Sequence, residues 1–192
     1  MNNMDRQNIV ALPHDRLREK SAKITTFDET TKHLVHDMIA AGLDWEDNRD
    51  HELCVGLAAV QVDIHKQVVI LRTDQEDKSN RDFTPLINPK IIRTSGKPEY
   101  DYEGCLSVKD IYGLVPRYPK IKIKAQDLDG QEFRLTADGF LARLIQHEID
   151  HVNGTLYIDH IKDLDNFYKI NDDGKILKLD YEQHIATSSI LW

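Results

Sequence analysis

Apolar positions along this chain recur with two periods, and the periods divide it into elements. Leu34, Val35, Met38 and Ile39 share one stripe at helical spacing. Asp28 stands where that helix would be capped and Gly42 where it would stop, so the helix is expected to run to about Ala41, with the acidic stretch from Asp44 to Glu52 as a loop. Pro13 to Ile24 reads as a turn followed by a short basic segment. Gly56 to Gln61 is small and apolar, and Val68-Val69-Ile70-Leu71 reads as a buried strand, followed by a polar loop from Asp74 to Asp82. Thr84 to Ile87 and Ile91 to Thr94 read as short strands split by Asn88-Pro89. Ile121, Ile123 and Ala125 alternate with lysines, which gives a half-buried strand. Asp127-Leu128-Asp129-Gly130 turns the chain, and Phe133 and Leu135 continue on the return strand. The helical period then resumes behind Asp138, with Phe140, Leu141, Leu144, Ile145, Ile149 and Val152 as its apolar positions and Asn153-Gly154 as its end.

Beyond Asp163 the pattern weakens to a short helix near Leu164 to Tyr168, a turn at Asp172-Asp173-Gly174 and a tail ending Ile190-Leu191-Trp192. The order is mostly β with one early and one late helix. It predicts an α+β fold: short, mostly antiparallel sheets packed around the late helix, with an N-terminal helix beside them. A length of 192 residues suits one domain spanning 1–192, with 163–192 as a tail.

Composition narrows the function classes. The 33 acidic residues outnumber the 25 basic ones, for a net charge of -8, which argues against nonspecific nucleic-acid binding through a basic face. No apolar run approaches the ~20 residues of a membrane span, so no membrane partner is expected. The N-terminus lacks the apolar core of a signal peptide, and a cytoplasmic location is the expectation. Cys54 and Cys105 are too few for an all-cysteine zinc module, which takes four thiolates.

The late helix carries the chemistry. His147-Glu148-Ile149-Asp150-His151 places two imidazoles a turn apart on one face, where they could grip one ion, with Glu148 beside it to move protons to and from water. Two histidines do not complete a catalytic site, which usually has three protein ligands and one open position. His160, His184, Asp159 and Asp163 are available downstream, and Cys105 upstream.

Three segments in order carry a resemblance. Gly56-Leu57-Ala58-Ala59-Val60-Gln61, Glu103-Gly104-Cys105-Leu106-Ser107 and Gln146-His147-Glu148-Ile149-Asp150-His151-Val152-Asn153-Gly154 are similar to the three motifs of the peptide deformylases, which remove the formyl group from nascent bacterial-type polypeptides. The resemblance runs from about Leu12 to Ile161. It implies Cys105, His147 and His151 as metal ligands, Glu148 as general base and acid, and Gln61 with the Leu106 backbone N–H as donors to the oxyanion. It implies one divalent ion, Fe2+ as the family's usual choice, with Zn2+, Ni2+ or Co2+ also suited to a thiolate and two imidazoles. Hydroxide made from water at the ion would attack the formyl carbon. The implied substrate is the N-formylmethionyl end of a nascent chain lying as an added strand beside Gly56, with Gly104 also at the substrate. The ribosome is a candidate partner, and the tail could touch it.

Helix geometry puts Phe140, Arg143 and Leu144 on the face of His147, so Phe140 and Leu144 either line a pocket for the methionine side chain or are plain core. Arg117 and Asp150 are expected behind the ligands, with Asp150 orienting a histidine or pairing with Arg117 or Arg143, and Glu103 is expected to pair with such an arginine. His160 is assigned nothing. The chain departs from the family pattern at Cys54, in place of a glycine, at Val60, and at the polar Asp101-Tyr102. Two other classes compete: a metallopeptidase with a downstream third ligand, and a metal- or peptide-binding relative without catalysis.

Overall fold

The computed structural model describes residues 4–49, 52–171 and 175–179. Helix α1 (Glu29–Asp47) starts as its cap residue dictates, since the Asp28 carboxylate accepts from the backbone N–H groups of Thr30 and Thr31. It does not stop at Gly42. A side chain there would put its Cβ 2.8 Å from the sulfur of Cys54, so Gly42 is where the loop before the first strand packs against an unbroken helix. The acidic stretch is therefore partly helical. Its Glu46 is buried and ion-paired to the fully buried Arg72, whose Nε donates to the Cys54 carbonyl at 3.0 Å. That buried pair holds the last turn of α1 down, which no local signal in an acidic run could announce.

A five-stranded antiparallel sheet has the order β1-β2-β3-β6-β7, from β1 (Gly56–Ala58), β2 (Val68–Arg72), β3 (Phe83–Ser95), β6 (Lys120–Gln126) and β7 (Glu132–Asp138). β2 is buried along its whole length, as its unbroken apolar run requires. The two strands expected either side of Asn88-Pro89 are one strand, β3. Asn88 takes a left-handed conformation (φ 52°) at a register shift, and its side chain bonds both backbone groups of Ile24 and the Gln126 amide, so the irregularity is absorbed.

A second sheet, of four strands in the order β4-β5-β8-β9, joins β4 (Glu99–Cys105), β5 (Val108–Arg117), β8 (Phe167–Ile170) and β9 (Ile176–Lys178). The hairpin β4–β5 has no alternating apolar signature in Glu99-Tyr100-Asp101-Tyr102, and its strand character comes from pairing. The helix expected at Leu164 to Tyr168 is instead a single 3-10 turn, Leu164–Asn166, followed by β8. Phe167 is buried, and Tyr112 pairs with Tyr168, so β-pairing to β5 overrides the weak helical pattern. The front of the tail thus belongs to the second sheet. The turn at 172–174, His184 and the apolar end 190–192 lie outside the described residues.

Helix α2 (Gly139–Val152) is buried along most of its length. Asp138 occupies its N-cap, but its side chain accepts no bond from the helix, which corrects the expected cap. Ala142, Leu144, Ile145, Ile149 and Val152 pack on Val69, Leu71, Leu86, Ile121, Ile123 and Ala137 from the inner face of the five-stranded sheet. Val35, Met38 and Ala41 of α1 cover Val68 and Ile70 on the opposite face of β2. The second sheet closes on Leu156, Tyr157, Ile158 and Ile161 beyond α2. α2 therefore lies between the sheets, with its polar residues at their junction.

Candidate metal centre

The late helix and the β4–β5 hairpin meet at three side chains. The metal-ligating atoms of Cys105, His147 and His151 all lie within 4.8 Å of one another, and Cys105 Sγ is 3.3 Å from His151 Nε2. Cys105 ends β4 at a register shift that turns its sulfur toward the helix. The histidine rings cross at 5.0 Å between centroids, as a spacing of four on a helix brings about. Tyr157 stacks on the His147 ring at 5.9 Å and anchors its hydroxyl by donating to the Ile111 carbonyl at 2.8 Å.

Behind His147 sits a charge clamp. The Glu103 carboxylate accepts from His147 Nδ1 at 2.9 Å, from Arg117 Nε and Nη2 at 2.9 Å each, and from Arg143 Nη1 at 2.8 Å. Burial opposes its charge, but His147 and Arg117 hold its carboxyl far below the usual carboxylate range. A carboxylate can only accept, so Nδ1 carries a proton and Nε2 of His147 is the nitrogen left to face the cluster. Arg117 also binds Asp150, and Asp150 Oδ2 reaches His160 Nε2 at 2.7 Å. Asp150 thus pairs with Arg117 rather than Arg143 and touches neither clustered histidine. The residue orienting His147 is Glu103. Arg143 spends its remaining donors on the carbonyls of Val115 and Glu99, tying both strands of the hairpin to α2.

The electrostatics and the donor set of the cluster both suit a cation. Burial opposes the charged form of His147, yet hydrogen bonds to Cys105 and Glu103 push its pKa well above the ordinary value, so without an ion a proton beside the sulfur takes the place that a cation would occupy. Burial and the nearby His147 drive His151 the other way, to the neutral form that ligates. A thiolate and two imidazoles are, in addition, a donor set for first-row divalent ions.

Glu148 is buried, with Oε2 unpaired, and burial raises its pKa to about 7 against the pull of His147. Gly56 makes its place. A Cβ at 56 would lie 2.6 Å from Glu148 Oε1 and 3.0 Å from Leu144 Cδ1. Gln61 accepts from the Ala58 N–H at 2.8 Å and directs its amide to Ser107 Oγ at 3.2 Å and Cys105 Sγ at 3.5 Å. A cavity of about 160 Å³ opens on the cluster, lined by Gly56, Gln61, Gly104, Leu106, Phe140 and Leu144 among others. Phe140 is 55% exposed at its rim, so it is not core. Tyr102 also lines it and packs edge-on to Tyr168, which gives this polar pair of β4 an aromatic wall. Cys54 is fully buried behind Gly56, and burial pushes its thiol above the usual range, so it neither reaches the cavity nor offers a thiolate.

The cluster thus gathers Cys105, His147, His151, Glu148, Gln61 and the expected cavity residues. Sequence reasoning missed Tyr157, which carries no local signal, and gave no role to Ser107, though it lies in the Glu103–Ser107 motif, or to His160. Of the downstream alternatives, His160 lies in the Asp150 network, and Asp159 pairs with Arg18.

Fold and site define an α+β protein with a candidate metal centre beside a buried carboxylate. Comparison with known proteins agrees. The family model described as polypeptide deformylase matches residues 6–167. Peptide deformylases of Chromohalobacter salexigens and Hahella chejuensis are 38% and 39% identical over 161 residues each, covering 84% of this chain and 89% and 90% of theirs. Among solved structures, the peptide deformylase of Legionella pneumophila superposes with a TM-score of 0.73 at 34% identity, over 85% of this chain and 88% of that one. That of Synechococcus elongatus, solved in complex with actinonin, gives 0.72 at 35% over 81% and 80%. The chain belongs to the peptide deformylase family of hydrolases.

Proposed function

We propose that this protein removes the formyl group from N-formylmethionyl ends of newly made polypeptides, releasing formate. The observation that carries the reading is the meeting of Cys105 with His147 and His151 at the mouth of an apolar cavity, with Glu148 buried alongside. Cys105, His147 and His151 would hold the ion, which supplies Lewis acidity and a lowered water pKa when bound. Fe2+ is the ion the resemblance favours, and Zn2+, Ni2+ and Co2+ suit the same donors.

The protein's own groups do the rest. Glu148 accepts a proton from the attacking water and returns it to the departing amine, a role that its pKa near neutrality suits. The Gln61 amide and the Leu106 backbone N–H stabilise the charge that develops on the formyl oxygen. The methionine side chain enters the cavity between Phe140 and Leu144, and the peptide extends past Gly56 and Gly104 with backbone bonds that ignore sequence. Glu103, braced by Arg117, fixes the His147 tautomer, and Asp150 steadies Arg117. We read residues 1–192 as one such domain acting in the cytoplasm, with the ribosome as the place where it meets its substrate. In support, no helix among the described residues is long and apolar enough to cross a membrane.

The test is formate release from formyl-Met-Ala-Ser by protein purified anaerobically with Fe2+ or Ni2+. Cys105→Ala is expected to lose both the ion and turnover. Turnover absent from a protein shown to hold one ion would refute the reading, and a Cys105→Ala variant that keeps its ion and cuts internal peptide bonds would favour a metallopeptidase.

A further inference from the structure

The net charge of -8 conceals a face that is strongly basic. Strand pairing sets Lys90 opposite Lys124 and Lys124 opposite Arg134 in one row across three strands. Arg93 stands opposite Lys122 in the next row. Directly opposed residues share a face, and Ile123 and Ala125 between these lysines are buried inward, so all five cations point to the outer side. Like charges placed directly opposite destabilise a sheet, and no carboxylate relieves most of them. Lys124 has Glu132 at 3.1 Å, whereas Lys90, Arg93, Lys122 and Arg134 have no ion-pair partner among the described residues. On this side α1 packs over β1 and β2 and its apolar cluster reaches Phe83 at the start of β3, and the rows of cations lie beyond that cluster. At the sheet's edge Lys90 and Lys124 also line a groove of about 700 Å³, closed on its other side by Ile149 and Val152 of α2 and by Asn153 at its end, which adds Lys20 and Lys23, both without an ion-pair partner among the described residues. The carboxylates lining it are Glu132, taken by Lys124, and Asp150, taken by Arg117 and His160.

We propose that this face docks the phosphate backbone of double-helical RNA. Six unpaired cations on a rigid surface match a repeating polyanion. The wide, shallow minor groove of an A-form helix presents its phosphates to a flat surface, whereas the major groove of B-DNA admits a helix or a two-stranded ribbon and excludes a three-stranded face. Ile92, 41% exposed, is the one large apolar side chain exposed on these strands, which gives a lipid bilayer nothing to take up and bases no platform to stack on. The inference is independent of the deformylation reading: an unaltered chain that releases formate but binds no RNA would sink the one and leave the other.

The experiment uses the metal-loaded full chain and fluorescence anisotropy with an RNA duplex of about 16 base pairs. Binding at roughly 10⁻⁶–10⁻⁴ M is expected, weakening with salt at a logarithmic slope that grows by about 0.9 for each phosphate engaged. Lys90→Gln, Arg93→Gln and Lys122→Gln together should weaken it at least tenfold and flatten the slope, with formate release unchanged. An equal loss from Lys97→Gln, Lys109→Gln and Lys162→Gln, exposed cations off this face, would overturn the assignment. Equal or tighter binding to DNA of the same sequence, to polyglutamate or to phosphatidylserine vesicles would overturn it too, as would no RNA binding at low salt.

Discussion

The late helix and the β4–β5 hairpin contribute to the same site in opposite ways. The two imidazoles and the carboxylate that α2 supplies lie within five consecutive residues, and a spacing of four on a helix makes the imidazoles neighbours wherever that helix is put. The hairpin supplies Cys105 and Glu103 from more than forty positions upstream, on strands that local pattern does not announce, and they reach the helix only because Arg117 and Arg143 clamp the two together. The helix is thus the part of the site that is robust to context, and the hairpin is the part that the fold must deliver. A ligand set shared between a local and a distant element also links metal binding to the folded state, since the unfolded chain keeps at most the helical pair.

Breaking the helical side at its proton carrier should give the largest effect. Glu148→Gln is expected to lower formate release by roughly 10²–10⁴-fold while the ion stays bound, read by metal content beside kcat. An equal loss of metal would make Glu148 a ligand instead.

The junction between the two regions comes next. Glu103→Gln leaves Arg117 and Arg143 facing a neutral amide in a buried place. It should cost about 3–5 kcal/mol in urea unfolding of the metal-free protein. It should also loosen the ion by roughly 10–100-fold. A change confined to metal affinity would mean that the hairpin docks without the clamp.

A pH experiment sharpens the contrast within the same cluster. The folded pKa of Glu148, about 7, lies above its ordinary 4.5, so the folded state holds a proton that the unfolded chain has lost. Its contribution is complete below about 4.5 and disappears as pH rises through about 7. The metal-free protein should therefore lose on the order of 3 kcal/mol relative to Glu148→Gln between those limits. Glu103 has the opposite sign: its contribution is present above its ordinary pKa and fails only in strong acid, as pH falls through its depressed value. Parallel stability curves for the wild type and Glu148→Gln would contradict this assignment.

The smallest effect compares the starts of the two helices. Asp28 caps α1 with two bonds, and Asp138 makes none to α2. Asp28→Ala should cost about 1 kcal/mol and Asp138→Ala at most a few tenths. Equal costs in thermal unfolding would mean that Asp138 acts through the helix dipole alone.

Much of this was legible beforehand. The starts of both helices, the buried strand at Val68 to Leu71, the lysine-alternating strand and its hairpin, and the α+β class follow from the period of apolar residues. The last turn of α1 was not, because an acidic run looks solvated until Arg72 is brought beneath Glu46. Nor was β8, whose pairing to β5 outweighs a weak helical pattern. The basic sheet face was present in the letters as Lys120-Ile121-Lys122-Ile123-Lys124, yet the net charge pointed away from it, since a sum over the chain discards where the charges stand.

By itself the sequence determined what depends on neighbours along the chain: the periodicity of each element, the pairing of His147 with His151, and Glu148 between them. The tertiary structure decided what depends on neighbours in space: that Cys105 is the third member of the cluster, that Glu103 and not Asp150 sets the His147 tautomer, that Cys54 is sealed in the core, and that three strands share one charged face. Local order follows from backbone geometry acting over a few residues. The rest depends on burial, which fixes a distant side chain only once the whole chain has closed around it.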